Sequence, residues 1–257
     1  MTSDRHRHLT VEGIVLRRRP VGEHDQIYTL YTLQKGRIRS SARGALRPKN
    51  PWRGILEPFH RIRADVYMSP GSSLYRFNQA EVLSRPSAFL NHLSALNAAY
   101  LVLEALDRFT PDESPHEELY DAVLQSLGAI TRAPDRAREV VLAFCLRFFR
   151  LSGFAVELQR CVQCGRERPG GKSAYCVPSM GGVVCRACLT PDRREQDRVL
   201  TGEILDAAEA AASGIPEAAE RLDGAARDDG IAALQRIVRE MFAYHLGELP
   251  KSLALMG

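Results

Sequence analysis

The sequence predicts an α+β protein: a small five-stranded β-barrel, then an α-helical domain with a four-cysteine module inserted in it. Three observations predict it. Alternating apolar patterns fill the first eighty or so residues. From residue 87 the apolar period lengthens to that of a helix. Two C-x2-C pairs interrupt the helical part. The boundaries implied are residues 1–84 for the barrel and 85–257 for the helical domain, with the cysteine module at about 158–195.

Five β-rich runs make the barrel: Leu9 to Leu16, His24 to Leu33, Arg37 to Ala42, Phe59 to Met68 and Leu74 to Leu83. In the second run Ile27, Thr29, Tyr31 and Leu33 fall on one face, and Gln26, Tyr28, Leu30 and Thr32 on the other. Turn residues separate the runs, for example Ser69-Pro70-Gly71-Ser72. Pro48 to Pro58 breaks the pattern and reads as a loop with a helical turn. Five short strands with a basic face point to an OB-fold, a five-stranded barrel that binds nucleic acids.

The helices follow in order. Ser87 is placed to cap the first, which runs to about Phe109 with Leu90, Leu93, Leu96, Tyr100, Leu103 and Leu106 at three- and four-residue spacing. Pro111 and Pro115 end it and open a second over Glu117 to Ile130. A third starts at Pro134, carries Val140, Val141, Phe144, Phe148 and Leu151 on one face, and stops at Gly153. Helical pattern resumes at Thr201 as a cap, and again from Asp229 to Leu246 before Gly247.

Composition narrows the class. The chain has 257 residues, 45% of them apolar, enough for two packed cores. No apolar run approaches the roughly 18 residues of a membrane span, and no apolar stretch follows the charged N-terminus as in a signal peptide. The chain therefore reads as cytoplasmic. The net charge of +4 is unevenly spread. Residues 1–80 hold 15 Lys and Arg against 6 Asp and Glu, and the remainder holds 20 against 25. A basic barrel on an acidic remainder predicts polyanion binding in the first part and a different task in the second.

Cys161-x-x-Cys164 and Cys185-x-x-Cys188 form two knuckles twenty residues apart. Each places two thiolates on one side, and two facing knuckles make a closed tetrahedral S4 site for one structural Zn²⁺. Gly165 follows the first knuckle, and Gly170-Gly171 with Gly181-Gly182 supply the return turns. Two independent C-x-x-C redox motifs are the competing reading, but they lack a βαβ setting. Cys176 is a spectator and Cys145 a core residue on this reading. Gly165 to Ser173 imitates a phosphate-binding loop, yet its first glycine position is occupied by Arg166 and no strand–helix setting surrounds it. The seven histidines have no ligand or triad spacing, and no catalytic motif is present, so no enzymatic activity is expected.

The candidate nucleic-acid contacts are Arg17, Arg18 and Arg19 at the end of the first strand, Arg37, Arg39 and Arg43 at even spacing on the third, Arg47, Lys49 and Arg53 in the following loop, and Arg61 on the fourth. Guanidiniums in a row over a sheet, with apolar side chains behind, suit a phosphate backbone. Arginines alternating with apolar residues also make an ordinary solvated sheet face. Trp52, Tyr28 and Tyr75 are the aromatics available for stacking on bases.

Taken in order, these segments resemble the RecO family of bacterial DNA repair proteins across almost the whole chain. The resemblance is carried by Gly13-Ile14-Val15-Leu16, Gly22-Glu23-His24-Asp25-Gln26-Ile27, Lys35-Gly36-Arg37-Ile38, Ala42-Arg43-Gly44, Leu56-Glu57-Pro58-Phe59, Tyr244-His245-Leu246-Gly247 and the two cysteine pairs. It implies an OB-fold, a helical domain and a zinc-ribbon-like insert. It also implies a non-catalytic recombination mediator located in the bacterial cytoplasm at the nucleoid. Such a mediator binds single- and double-stranded DNA and anneals complementary strands. It works with RecR, and with the C-terminal tail of single-stranded-DNA-binding protein, to help load RecA. An RNA-binding or transcription-associated zinc-ribbon protein is the alternative from composition and spacing alone.

Overall fold

The computed structural model describes residues 7–86, 88–189, 199–214 and 228–256. Two compact units divide the chain: Met1–Ser87 with Leu103–Asp121, and Ala88–Val102 with Ala122–Gly257.

The first unit is built on a closed barrel of β1 (Arg7–Val21), β2 (Asp25–Thr32), β3 (Gly36–Ala42), β4 (Arg61–Met68) and β5 (Tyr75–Ser84), in the order β1-β2-β3-β5-β4. This is the OB-type barrel expected. β1 closes it by serving two partners: its first half pairs with β4 from Arg7↔Met68 to Ile14↔Arg61, and its second half with β2 as far as Val21↔Asp25. An irregularity between Val15 and Arg17 bends the strand between these pairings. β3 meets β5 through a short parallel seam, Ser40↔Tyr75 and Ser41↔Arg76.

Period-two alternation decides which side chains fill the barrel. Ile38, Ser40 and Ala42 of β3 and Ile62, Ala64 and Val66 of β4 are buried, with Arg39 and Arg63 exposed between them. The second half of β2 is buried on both faces, Thr29 to Thr32 inclusive. Residues 103–121 lie against β3 in this unit: Glu113 N–H donates to the Arg37 carbonyl at 2.9 Å.

In the second unit a 3-10 turn, Ala88–Asn91, precedes α1 (Leu93–Phe109), so the α-helix starts later than the apolar spacing predicts. Ser87, the expected cap, lies outside the described residues. α2 (Glu117–Arg132) follows, and α1 and α2 each contribute to both units. α3 (Ala137–Leu151) starts after a 3-10 turn at Pro134 and closes at Gly153. There Gly153 N–H donates to Arg150 O and Phe154 N–H to Phe149 O, a Schellman ending. The cysteine module holds β6 (Ala174–Val177), β7 (Gly182–Val184) and β8 (Val199–Leu200) in the order β7-β6-β8. α4 (Gly202–Ala212) is capped as expected, with Thr201 Oγ1 accepting from Ile204 N–H at 3.4 Å. α5 (Asp228–Leu246) and α6 (Lys251–Ala254) end the chain.

Candidate metal centre and nucleic-acid interface

Two hairpin-like knuckles bring the four cysteines together. Gly165 N–H donates to Cys161 O at 2.8 Å, and Cys188 N–H to Cys185 O at 3.0 Å, closing each C-x2-C turn. Gly165 takes φ 71° at the end of the first turn, where a side chain would be strained. Glu157 N–H donates to Gly181 O and Val183 N–H to Glu157 O, which ties the approach to the first knuckle to β7. The sulfurs of Cys161, Cys164, Cys185 and Cys188 all lie within 4.8 Å of one another, and Cys164 Sγ is 3.9 Å from Cys185 Sγ. A tetrahedral ion with metal–sulfur bonds near 2.3 Å spaces its sulfurs about 3.8 Å apart, so this set fits such an ion.

The surroundings favour thiolate at Cys161. Cys185 N–H donates to Cys161 Sγ at 3.4 Å. Burial pushes the Cys161 thiol up, but hydrogen bonds from the backbone of Cys185, Cys164 and Gln163 outweigh it and bring the thiol down to about 6. Hydrogen bonds among the sulfurs push Cys188 up to about 12, the mark of protons shared within one cluster. A bound cation removes that competition by coordinating all four sulfurs. Cys161 packs with Val177, Val184 and Leu189 in the module's own small core. Cys176 is buried on β6 outside the four, and Cys145 is buried on α3 with its thiol pushed well up by desolvation.

The basic residues of the barrel fall into two groups. Several are held by carboxylates. Arg17 pairs with Asp107 at 2.6 Å, Arg18 with Glu57 at 2.7 Å, Arg37 with Asp112 at 2.9 Å and Arg39 with the same Asp112 at 3.5 Å. Arg61 donates to Glu12, whose carboxylate also lies 3.4 Å from the Tyr120 hydroxyl. Burial first, then the nearby Glu12 charge, pushes that hydroxyl up to about 12. Arg63 pairs with Glu81 at 2.7 Å. Arg19, Arg43, Arg47, Lys49 and Arg53 are exposed and pair with no acid among the described residues.

Four of these five sit in the loop between β3 and β4, and backbone hydrogen bonds hold that loop. Gly44 N–H donates to Asp25 Oδ1 at 2.8 Å and Leu46 N–H to His24 O at 2.9 Å. Asn50 accepts from Trp52 N–H through Oδ1 and donates through Nδ2 to Arg47 O. Trp52 packs on Phe77 with ring centroids 5.6 Å apart and donates from Nε1 to Arg43 O at 3.3 Å. The result is an open groove of about 380 Å³ whose walls include Arg18, Gln26, Arg47, Trp52, Arg53 and Glu57.

Of the three aromatics considered for base stacking, Tyr28 and Tyr75 are buried in the barrel core, at 3% and 1% exposure, with Tyr28 at the floor of the groove. Trp52 is half-buried and lines the groove. The pairing of Arg17, Arg37 and Arg39 with Asp107 and Asp112 was not visible in the sequence, since the acids lie on a helix end and loop about seventy or more residues away. No local signal reveals it. Among the described residues, no helix is long and apolar enough to cross a membrane.

Comparison with known proteins agrees with this architecture. Residues 7–86 match the family profile described as recombination protein O N terminal, and residues 90–254 match recombination protein O C terminal. A DNA repair protein RecO from Bifidobacterium longum (strain DJO10A) is 33% identical over 211 residues, covering 77% of this chain and 85% of that protein. One from Synechococcus sp. (strain JA-3-3Ab) is 31% identical over 262 residues, covering 96% and 84%. One from Nocardioides sp. (strain ATCC BAA-499 / JS614) is 32% identical over 182 residues, covering 70% and 74%.

Proposed function

The chain belongs to the RecO family of DNA repair and recombination proteins, and on that premise we propose that it is a non-catalytic mediator that grips DNA in the groove of its barrel. The observation that carries the reading is the groove itself. Arg47 and Arg53, which pair with no described acid, flank a half-buried Trp52 on a loop held by its own hydrogen bonds. Guanidiniums neutralise phosphates and a ring face takes a base, which suits single strands of any sequence. Arg19 at the end of β1, with Arg43 and Lys49, extends the basic surface, and duplex DNA binds through the same cations. Arg17, Arg18, Arg37, Arg39 and Arg61 contribute less, because carboxylates already offset their charge.

On this reading the protein anneals complementary strands. It acts with RecR, and with the tail of single-stranded-DNA-binding protein, to help load RecA in the cytoplasm at the nucleoid. Residues 81–257, with 20 Lys and Arg against 25 Asp and Glu, are the acidic part of the chain and on this reading carry the protein contacts. Zn²⁺ is the metal proposed for the four cysteines, since a closed tetrathiolate site suits a structural ion.

Trp52 is the one tryptophan of the chain, so its fluorescence reports on this groove alone. Titration with a thymidine oligonucleotide is expected to quench it, with log affinity falling linearly as log salt rises. Tight binding without quenching would place the DNA elsewhere. Competition by RNA of equal length and sequence at equal or lower concentration would overturn the assignment to DNA in favour of an RNA-binding zinc-ribbon protein.

A further inference from the structure

The second unit is close to neutral, with 18 Lys or Arg against 17 Asp or Glu, but one stretch of it is strongly basic. Residues 158–189 carry five Lys or Arg against a single Glu, while the rest of that unit carries 13 against 16. Two of the five cations are committed. Arg160 pairs with Glu167 at 2.9 Å, and Arg168, 8% exposed, donates to Asp206 at 2.5 Å and to the Leu158 carbonyl at 2.9 Å. Arg166, Lys172 and Arg186 are exposed and pair with no acid among the described residues.

The cysteine cluster positions two of these three, and the β6–β7 register, Tyr175↔Val184, brings Lys172, three residues before Tyr175, to the side where Cys185 follows Val184. Arg166 follows Cys164 by two residues, and Arg186 follows Cys185 directly. The sulfurs of Cys164 and Cys185 are 3.9 Å apart, so both arginines stand at the same end of the module on separate, mutually fastened turns. Their backbone is fixed: Cys161 N–H donates to Arg166 O at 2.9 Å, and Cys188 N–H closes the turn that carries Arg186. Cations on fastened turns lose little freedom when they bind.

We propose that this end of the cysteine module is a second DNA contact, distinct from the barrel groove, which holds the phosphate backbone through Arg166, Arg186 and Lys172. The proposal rests on the reading that the chain binds DNA, and it gives each of the two units its own grip on a strand. Phosphate is favoured over an acidic peptide because the surface between the cations offers little apolar area. Val162 is its one exposed large apolar side chain, with Gln163 and Ala187 beside it. Two grips on one chain suit annealing, in which two strands must be held at once.

The test uses the full-length, metal-loaded chain with Arg166→Gln, Lys172→Gln and Arg186→Gln combined. Anisotropy titrations with a long thymidine strand at several salt concentrations are expected to show a log–log slope shallower by about 2, because each phosphate no longer neutralised removes roughly 0.7. Trp52 quenching should persist, and annealing of complementary oligonucleotides should slow. Arg166→Lys with Arg186→Lys should keep the slope. An unchanged slope in a correctly folded triple variant overturns the proposal, as does loss of binding to an acidic peptide with DNA binding intact. Should the triple variant fail to fold, amide exchange in the unaltered protein decides: slower exchange at residues 162–168 and 185–188 on adding DNA supports the second contact, and no change overturns it. A shallower slope in the variant, with Trp52 unquenched in the parent, would keep the second contact and refute the barrel groove instead.

Discussion

Arg37 on β3 donates from Nε to Asp112 Oδ1 at 2.9 Å and from Nη1 to the Asp107 carbonyl, which fastens residues 103–121 onto the barrel. Its side chain is 19% exposed and its guanidinium is already engaged by these acceptors. Arg43, six residues on, is exposed and pairs with no described acid. The two residues therefore separate stability from binding. Arg37→Ala should cost about 1 kcal/mol, because it removes the charged donor of the Asp107 carbonyl, while Asp112, half exposed, keeps water and Arg39. Arg43→Ala should change stability by no more than about 0.5 kcal/mol and lower the salt slope for single strands by up to roughly 0.7. Urea denaturation and anisotropy titration of both variants check this. A stable Arg37→Ala with a flattened slope would reverse the assignment.

The strands, the helices and the cysteine cluster were legible because each rests on short-range regularity. Ile62, Ala64 and Val66 alternate with Arg61 and Arg63, and the structure puts the first three inside. The cysteine spacing forces two knuckles whatever surrounds them. Long-range contact was illegible. β1 continues five residues past Leu16 through Arg17 to Val21, where nothing is apolar enough to mark a strand, because β2 supplies the pairing. Tyr28 and Tyr75 carry polar hydroxyls, yet barrel closure buries both rings. The acids that neutralise Arg17, Arg37 and Arg39 belong to the segment 103–121, which sequence periodicity groups with the other helices.

Gly36 opens β3 at φ 64°, and a Cβ built there would lie 2.2 Å from the Ser114 carbonyl oxygen. Both the left-handed backbone and the backbone contact oppose a side chain, and neither neighbour is a flexible side-chain end that can yield. Gly36→Ala should destabilise the protein by more than about 2 kcal/mol. Gly54→Ala, at φ 71° with open space around it, should cost only the conformational part, about 1–2 kcal/mol. Thermal melting of the two variants side by side separates the two effects. Equal losses would mean that Ser114 moves aside freely.

Asp206 on α4 is held below its ordinary value of 3.8, first by the hydrogen bond from Arg168 and then by the Gly171 N–H at 3.2 Å. A carboxylate with a lowered folded-state pKa binds its proton less readily than in the unfolded chain. Its contribution is therefore complete above the ordinary carboxylate range and disappears as pH falls through the lowered value. Asp206→Asn should lower the melting temperature at pH 7. The gap to the parent should be flat down to about pH 5 and close below about pH 4. A gap independent of pH down to pH 3 would show that the charge on Asp206 does not matter to the fold.

The cysteine cluster permits the sharpest stability test, because the two units carry separate reporters. Structural metal supplies folding free energy directly, so its removal should unfold what the metal holds. We expect one zinc per chain in purified protein. Cys164→Ser leaves three thiolates and should abolish that stoichiometry and lower the thermal transition. Cys176 is the control. It is as buried as Cys161 and lies on β6 of the same module, but its sulfur is outside the group of four. Cys176→Ala removes one buried sulfur, at a cost of about 1–2 kcal/mol in packing, and should keep the metal. Trp52 sits in the barrel unit, remote in sequence from the knuckles, so chelation should leave its emission unchanged while α-helical circular dichroism melts earlier. Full zinc content in Cys164→Ser would show that three of these sulfurs suffice. Loss of zinc in Cys176→Ala would mean that the sixth cysteine belongs to the centre after all.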